Sequence, residues 1–241
     1  MKKLIFVYFI LFLFINLFAD DVDKALVLRN NGEIKQAIEL FQKSCDENNT
    51  RACYNLAVLY DEGKLTEQDY IKAKKLYEKA CDLNHTFGCY NLAILYDNAR
   101  GVKKDELKAK KLFEKSCNLG DYLGCYNLGF IYYEGVVVNQ NYTKAKKYFE
   151  IACKANESAA CHNLGVMFEK QRGVSLDFIK AKNYYTKACE LKNSFACNNL
   201  GVMLFKGMGF ESNEEKAKEL FEKSCNLGSA SGCKNFRRLK N

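Results

Sequence analysis

Apolar and polar residues alternate along most of this chain with the period of an α-helix. In the stretch AKKLFEKSC, Ala109, Leu112 and Phe113 lie at i, i+3 and i+4 of one helix face. Cys117 follows at i+8 on that face, whereas the lysines take the opposite face. The stretch CYNLGFIYYEG, which begins at Cys125, shows the same period. The pattern therefore predicts short amphipathic helices, and a sequence without proline suits helices that are not interrupted.

The helical pattern repeats with a fixed period of 36 residues, which the twelve cysteines show most clearly. The first cysteine of each pair is Cys45, Cys81, Cys117, Cys153, Cys189 or Cys225, and the second is Cys53, Cys89, Cys125, Cys161, Cys197 or Cys233. An alanine column and an aromatic column share the period: Ala37, Ala73, Ala109, Ala145, Ala181 and Ala217, and Phe41, Tyr77, Phe113, Phe149, Tyr185 and Phe221. A period of this length indicates stacked units that are each too small to bury a core alone.

Each unit is predicted to be an antiparallel pair of helices, in which one helix ends at the first cysteine and the next begins near the second. The stretch VDKALVLRNNG adds a starting helix, and KNFRRLKN is a polar close suited to a terminal cap. The expected fold is therefore all-α, an α/α superhelical solenoid of six helix-pair repeats over residues 20–241, with about thirteen helices.

Two further columns indicate where the helices begin and end. Polar residues placed to cap the helix that carries the first cysteine are Asp69, Asp105, Asn141, Asp177 and Asn213. Glycines expected near the ends of the partner helices are Gly63, Gly101, Gly135, Gly173 and Gly207.

The cysteine pairs are predicted to form local disulfides. With one cysteine in the last turn of a helix and the other in the first turn of the next, their Cα atoms can approach to about 5–6 Å. The residue before the second cysteine is always alanine or glycine, which lets the helices close up. The predicted bridges are Cys45–Cys53, Cys81–Cys89, Cys117–Cys125, Cys153–Cys161, Cys189–Cys197 and Cys225–Cys233.

The alternative uses of paired cysteines have less support. Zinc sites favour cysteines two to four residues apart with further ligands nearby, but the chain has only two histidines, His85 and His162, which lie 77 residues apart. Redox exchange usually employs a Cys-x-x-Cys motif, which the sequence lacks. We expect no metal and no cofactor, and we interpret both histidines as ordinary helix or turn residues.

The first nineteen residues have the order of a secretory signal peptide: Lys2 and Lys3, a long apolar stretch, and the small residue Ala19 before two aspartates. We predict cleavage after Ala19, with an uncleaved anchor as the alternative. The mature protein would then be secreted or periplasmic, with no membrane attachment, in a compartment where disulfides persist.

The net charge of the chain adds little to the prediction of its partners. Removal of two lysines leaves 35 basic residues against 29 acidic ones, a net charge of +6. Because the lysines recur on helix faces in every repeat and the protein is predicted to be exported, we do not expect a nucleic-acid partner. We expect a monomer.

At this point the repeats resemble a known family. Units such as GCYNLAILYDNARGVKKDELKAKKLFEKSC are similar to Sel-one-like repeats, which are relatives of tetratricopeptide repeats. The cysteine pair with seven intervening residues in every unit resembles the Helicobacter cysteine-rich protein family, and the match covers about residues 20–241. The resemblance implies a disulfide-bridged α/α superhelix, secreted to the periplasm or outside the cell. It also implies β-lactamase or penicillin-binding activity, by which members of this family are commonly described.

The residues themselves give that activity little support. Serine β-lactamases of the usual kind need Ser-x-x-Lys together with Ser-Asp-Asn and Lys-Thr-Gly elements. The only Ser-x-x-Lys runs from Ser231 to Lys234 across Cys233, and neither other element is present. Whether the chain is an enzyme stays open, with hydrolysis of β-lactams as the alternative function and no catalytic residue assigned.

A binding scaffold is the first hypothesis, because solenoids build a long concave groove from equivalent helix positions. An asparagine follows two residues after each second cysteine and could offer hydrogen bonds to a peptide backbone, or could instead satisfy a carbonyl at a neighbouring helix end. The column before it varies and suggests exposure. The candidate groove residues are Asn55, Asn91, Asn127, Asn163 and Asn199 with Tyr54, Tyr90 and Tyr126. The expected partner is a peptide or protein, or else a small molecule such as a peptidoglycan fragment or a β-lactam.

Overall fold

The computed structural model describes residues 20–240, and every regular element within that stretch is an α-helix. The thirteen helices of the described chain are α1 (Asp21–Asn30), α2 (Ile34–Asp46), α3 (Thr50–Glu62), α4 (Tyr70–Asp82), α5 (Thr86–Asp97), α6 (Glu106–Asn118), α7 (Tyr122–Glu134), α8 (Tyr142–Lys154), α9 (Ser158–Glu169), α10 (Phe178–Glu190), α11 (Ser194–Lys206), α12 (Glu214–Asn226) and α13 (Ala230–Lys240). The predicted signal peptide, residues 1–19, lies outside the described residues.

After α1 the helices form six pairs, each joined by a turn of three residues. We call the helix that carries the first cysteine the leading helix (α2, α4, α6, α8, α10, α12) and the one that carries the second cysteine the trailing helix (α3, α5, α7, α9, α11, α13). In the first pair, Asn48 takes a left-handed conformation with a φ of 66°, which reverses the chain and lets Asn49 N–H bond back to Ser44. The equivalent residues also have positive φ: Asn84, Gly120, Asn156, Lys192 and Gly228.

In every pair but the first, side chains cap both helices. The predicted cap column of the leading helices is confirmed: Asp69 Oδ1 accepts hydrogen bonds from the backbone N–H groups of Ile71 and Lys72 at 3.1 and 2.9 Å. Its equivalents make the same kind of bond: Asp105, Asn141, Asp177 and Asn213. A second cap column, not predicted from the sequence, precedes the trailing helices: Asn49, His85, Asp121, Glu157, Asn193 and Ser229.

The glycines predicted at the far ends of the trailing helices fall into two groups. Three cap their helices in the left-handed conformation, as predicted: Gly63, Gly135 and Gly207. Gly101 and Gly173 instead lie four residues beyond the ends of α5 and α9. A Cβ at Gly101 would come within 2.3 Å of the Cβ of Tyr70. This glycine is therefore needed where the loop crosses the start of the leading helix of its own pair, rather than at the helix end.

The repeated columns form the core, and small residues bring the paired helices together. Every member of the predicted alanine and aromatic columns is buried. A Cβ at Gly88 would lie only 2.9 Å from the Cβ of Ala80, so nothing larger than glycine fits at this crossing without a shift. The close approach gives Cα–Cα distances of 4.4 to 4.8 Å across the disulfides, near the short end of the usual range. All six predicted pairings are confirmed: Cys45–Cys53, Cys81–Cys89, Cys117–Cys125, Cys153–Cys161, Cys189–Cys197 and Cys225–Cys233.

The chain divides into two compact units between Leu112 and Phe113, within α6. In each unit helix pairs stack on their neighbours, which confirms the predicted all-α repeat fold with one disulfide per helix pair. Six disulfides indicate an oxidising compartment. Over residues 20–240, no helix combines the length and the apolar character that a membrane span requires.

Candidate functional site

The predicted groove residues lie in the first two turns of the trailing helices. The asparagine column and the column before it, which we call together the asparagine ladder, are half-buried at every predicted position. Those positions are Asn55, Asn91, Asn127, Asn163, Asn199, Tyr54, Tyr90 and Tyr126. Half-burial is the state in which a polar side chain is held in place by neighbours and still reaches solvent. The ladder is described below separately for each unit.

In the first unit, Asn91 is held by a tyrosine of the leading helix of its own pair. Asn91 Nδ2 donates a hydrogen bond to the hydroxyl of Tyr77 at 3.1 Å. The same hydroxyl donates to Asp61 Oδ2 at 3.1 Å, at the end of α3. Burial raises the pKa of Tyr54, and the amide of Asn91 opposes that shift. Asn55, by contrast, donates to the carbonyl of Arg51 in its own helix at 2.8 Å.

Aromatic rings surround this part of the ladder. Tyr54 stacks on the imidazole of His85 with ring centroids 4.4 Å apart, and Phe87 lies 6.2 Å from Tyr54. His85 is fixed because its Nδ1 accepts the backbone N–H of Gly88 and so caps α5. Phe87 remains 49% exposed, so a large apolar ring faces solvent beside the asparagine. His85, interpreted from the sequence as an ordinary turn residue, thus has two roles, as a helix cap and as a stacking partner.

Burial changes the proton affinities of these groups. Burial raises the pKa of Tyr77, and the nearby carboxylate of Asp61 raises it further. The pKa of Asp61 is raised as well, mainly by burial, although the hydrogen bond from Tyr77 opposes that shift. Burial lowers the pKa of His85, with a contribution from the cationic Arg51. At neutral pH the ring of His85 is therefore uncharged, as its capping bond requires.

In the second unit the ladder links successive trailing helices directly. Asn199 Nδ2 lies 3.2 Å from His162 Nε2, one repeat earlier, and Asn235 Nδ2 donates to Asn198 Oδ1 at 2.8 Å. Burial raises the pKa of Tyr126, and the amide of Asn163, one repeat later, opposes that shift. The variable column of one repeat therefore contacts the asparagine of the next. His162, interpreted from the sequence as an ordinary helix residue, is a member of this ladder.

A tyrosine–carboxylate pair also lies beneath the ladder of the second unit. The hydroxyl of Tyr185 donates to Glu169 Oε2 at 2.6 Å. Burial raises the pKa of Tyr185, and Glu169 adds to the shift. Burial lowers the pKa of His162. Phe195, 63% exposed, lies 6.3 Å from the ring of His162.

The packing role considered for the asparagines takes a different form from the one predicted. Asn55 and Asn127 donate to a carbonyl four residues earlier in their own helix, at 2.8 and 2.9 Å, rather than to a neighbouring helix end. Asn91 and Asn199 bond side chains instead. These four asparagines donate through their amide hydrogens, and in the second unit amide oxygens accept as well: Asn199 Oδ1 from Asn198 at 3.5 Å and Asn198 Oδ1 from Asn235 at 2.8 Å. A binding role for the ladder therefore stays a prediction.

The Ser-x-x-Lys sequence lies in the last helix. Ser231 and Lys234 are both exposed, and Cys233 between them is bonded to Cys225. Within residues 20–240, no group of three or more metal-ligating side chains is assembled. The hydrolytic alternative thus gains no site from this geometry.

The sequence and the fold were compared with known proteins. The Sel1 repeat family model matches residues 27–49, 50–85, 86–121, 123–157, 158–193 and 194–229. The boundaries between these segments fall in or beside the three-residue turns, so the first five disulfides each link two consecutive matched segments. Among curated proteins, none matches this chain.

Several solved structures are similar. A Sel1 repeat protein from Oxalobacter formigenes has 27% identity and a TM-score of 0.80, covering 89% of this chain and 87% of that one. The protein c5321 of uropathogenic Escherichia coli, described as a protective antigen with an SLR fold, has 27% identity and a TM-score of 0.80 over 83% of this chain. The match spans only 43% of that antigen. Helicobacter pylori cysteine rich protein B has 37% identity and a TM-score of 0.43, over 55% of this chain and 96% of that one.

Proposed function

The chain belongs to the Sel1 repeat family, and from that premise we propose that it is an exported scaffold that binds an extended peptide or protein segment along the asparagine ladder. The single observation that carries the proposal is the continuity of the ladder within a unit. His162 contacts Asn199, and Asn198 contacts Asn235, so equivalent polar groups follow one another from repeat to repeat. Equivalent groups at a regular interval match a ligand whose own polar groups recur, which is the property of a polypeptide backbone.

The chemistry of the ladder suits such a ligand. A side-chain amide has both a donor and an acceptor, as a peptide group does, and an amide oxygen that accepts one internal hydrogen bond has a second lone pair for a ligand. Rings such as Tyr54 and Phe87 lie beside the amides and offer apolar surface for the ligand's side chains. The charge of +6 expected for the mature chain favours a ligand that is neutral or acidic.

Export to the periplasm or the cell exterior is part of the proposal. The disulfides require an oxidising compartment, and the charge, apolar stretch and small residue at the N-terminus have the order of a signal peptide. The similar structure described as a protective antigen adds support, although the match covers less than half of that protein. Outside the cytoplasm the fold must be stable on its own, and local disulfides add to that stability.

The proposal is tested with oxidised protein of residues 20–241 and a random peptide library displayed on phage. We expect selection of peptides whose affinity, measured by calorimetry, falls about tenfold for Asn163→Ala, the loss of roughly one hydrogen bond to a ligand. The matched control is Lys111→Ala, which changes an exposed side chain of a leading helix. A library that yields no binder, or binders that Asn163→Ala and Asn199→Ala leave unchanged, would contradict the proposal.

A parallel assay tests the alternative function, hydrolysis of β-lactams. The oxidised protein is incubated with a chromogenic β-lactam, beside heat-denatured protein and Ser231→Ala. Turnover well above the denatured sample would replace the scaffold with an enzyme, and its loss in Ser231→Ala would identify the nucleophile. We expect no turnover, because Ser231 and Lys234 are exposed on the last helix.

A further inference from the structure

A second, longer period lies on top of the 36-residue repeat. The nine residues LFEKSCNLG occur at 112–120 and again, unchanged, at 220–228, three repeats later. The leading helices α4 and α10, also three repeats apart, share IKAK and KAC at the same positions. Tyrosine occupies the aromatic column only at Tyr77 and Tyr185, and the four other repeats have phenylalanine there. The chain is therefore a tandem of two related three-repeat blocks.

This longer period places the same set of polar groups once in each unit. In the first unit the set is Asp61, Tyr77 and Asn91, joined by two hydrogen bonds of 3.1 Å. The corresponding set, 108 residues later, is Glu169, Tyr185 and Asn199, in which Tyr185 donates to Glu169 at 2.6 Å and the Asn199 amide opposes the rise that burial causes in the Tyr185 pKa.

The direction of these hydrogen bonds follows from the donors available. An ionised carboxylate only accepts, so the hydroxyl of Tyr77 must donate its one proton to Asp61. The oxygen of that hydroxyl can then only accept from Asn91, which must turn its NH2 group inward. The remaining polar atom of the amide, Oδ1, is left for the outside. The buried pair thus fixes which way the asparagine amide points.

The same holds in the second unit, with a histidine as the additional partner. Glu169 makes Tyr185 a donor, so the Tyr185 oxygen can only accept. Burial raises the pKa of Tyr185, and the amide of Asn199 opposes that shift, as an N–H donor near the hydroxyl does. Asn199 Oδ1 accepts from Asn198 Nδ2 at 3.5 Å and keeps a second lone pair for a ligand. The other amide hydrogen of Asn199 points toward His162 Nε2, 3.2 Å away. A neutral histidine can accept there, and burial keeps His162 neutral by lowering its pKa.

An exposed ring stands beside each fixed amide. Phe87 and Asn91 are four residues apart on α5, and Phe195 and Asn199 are four residues apart on α11, the spacing of neighbours on a helix face. Phe87 is 49% exposed, and its ring centroid lies 6.2 Å from that of Tyr54. Phe195 is 63% exposed, and its ring centroid lies 6.3 Å from that of His162. Each centre therefore combines a hydrogen-bond acceptor of fixed direction with an apolar surface.

Resting on the function proposed above, we infer that the chain carries two equivalent peptide-anchoring centres, one at Asn91 and Phe87 and one at Asn199 and Phe195. Each recognises a peptide segment that donates a backbone N–H to the asparagine Oδ1 and places an apolar side chain on the phenylalanine ring. Tyr77 with Asp61, and Tyr185 with Glu169, are positioning residues that act through the asparagines. The four other repeats lack the tyrosine, so their asparagines, Asn163 among them, contribute ladder contacts without an amide of fixed direction.

The test uses a short peptide selected on the wild-type protein in the display experiment. Calorimetry should give two peptides per chain. Tyr77→Phe and Tyr185→Phe should each weaken one of the two sites about tenfold, the loss expected when one oriented hydrogen bond is released, and the double variant should weaken both. Phenylalanine is the residue of the four other repeats, so the substitutions suit the fold. The control is Tyr184→Phe, whose ring stacks on Phe168.

A second readout needs no ligand. In nitrogen-15-labelled protein, the side-chain amide protons of Asn91 and Asn199 should exchange with water more slowly than those of exposed asparagines. Tyr77→Phe should speed the exchange of Asn91 alone, and Tyr185→Phe that of Asn199 alone. Unaltered exchange in these variants, or one peptide per chain with both variants at full affinity, would overturn the two-centre inference and leave the ladder proposal standing. Failure to select any peptide would overturn both.

Discussion

His85 Nδ1 accepts a hydrogen bond from the backbone N–H of Gly88 at 3.1 Å and so caps α5 with an imidazole ring. The equivalent caps in the first and fifth helix pairs are Asn49 and Asn193, whose side-chain oxygens accept the corresponding N–H groups. An asparagine accepts at every pH, whereas the histidine accepts only while Nδ1 carries no proton. The second helix pair is therefore the one whose trailing helix depends on a titratable imidazole cap.

We predict that His85→Asn flattens the pH dependence of stability. Burial and Arg51 hold the pKa of His85 below its unfolded value of about 6.5. The unfolded chain then binds a proton more readily than the folded one, so wild-type stability is full above that pH and falls as pH drops through it toward the lowered folded pKa. Denaturant unfolding from about pH 8 to about pH 5 should show this loss in the wild type and a smaller one in the variant.

His85 also stacks on Tyr54, and the loss of that contact is distinguished from the titration of the cap by its lack of pH dependence. Loss of the ring contact in His85→Asn should lower stability by a similar amount at every pH, which shifts the curve without changing its slope. Parallel curves for the two proteins would therefore contradict the titration of the cap.

The buried carboxylate of Asp121 supports a second prediction. Asp121 is 2% exposed, accepts the N–H groups of Leu123 and Gly124, and receives the hydroxyl of Ser116 at 2.6 Å. Asp121→Ala removes a helix cap and the 2.6 Å hydrogen bond from the buried Ser116 hydroxyl, which together should cost about 2–4 kcal/mol. The partly exposed cap Asp69 provides the comparison, and Asp69→Ala should cost about 1 kcal/mol. Equal losses in chemical denaturation would show that burial of the carboxylate adds nothing.

The features that recur from repeat to repeat could be predicted from the sequence. The disulfides recur in every helix pair and the cap at Asp69 recurs in every pair but the first, so the period alone identified them. The cap column before the trailing helices contains asparagine, histidine, aspartate, glutamate and serine, which hides its common role. The bond from Tyr77 to Asp61 joins residues of different helices, 16 positions apart, and depends on how neighbouring pairs pack. Such contacts between columns follow from the fold and not from any one column.

A third prediction concerns the glycine loops after the trailing helices. Gly101 has a φ of +62°, and a Cβ there would lie 2.3 Å from the Cβ of Tyr70. Gly101→Ala should therefore cost both the left-handed backbone penalty of about 1–2 kcal/mol and the displacement of α4, for a total above about 3 kcal/mol. Gly32 is the matched control, because its φ is +86° and a Cβ there would meet nothing within 4 Å. Gly32→Ala should show the backbone penalty alone, and a Gly101→Ala loss no greater than this would mean that the loop moves away from Tyr70.

The last prediction tests whether a disulfide stabilises its helix pair through loop closure or through the native packing around the bridge. The bridge joins Cys117 and Cys125, which have a sequence separation of 8. Its removal should lower the free energy of unfolding by about 2–3 kcal/mol, because the unfolded chain without the bridge has greater entropy. Calorimetry and denaturant unfolding of Cys117→Ala/Cys125→Ala measure this directly. The pair Cys45 and Cys53 closes an equal loop in the first helix pair, so the entropic account predicts the same loss for Cys45→Ala/Cys53→Ala. Unequal losses would show that native packing around each bridge, and not loop closure, determines what it contributes.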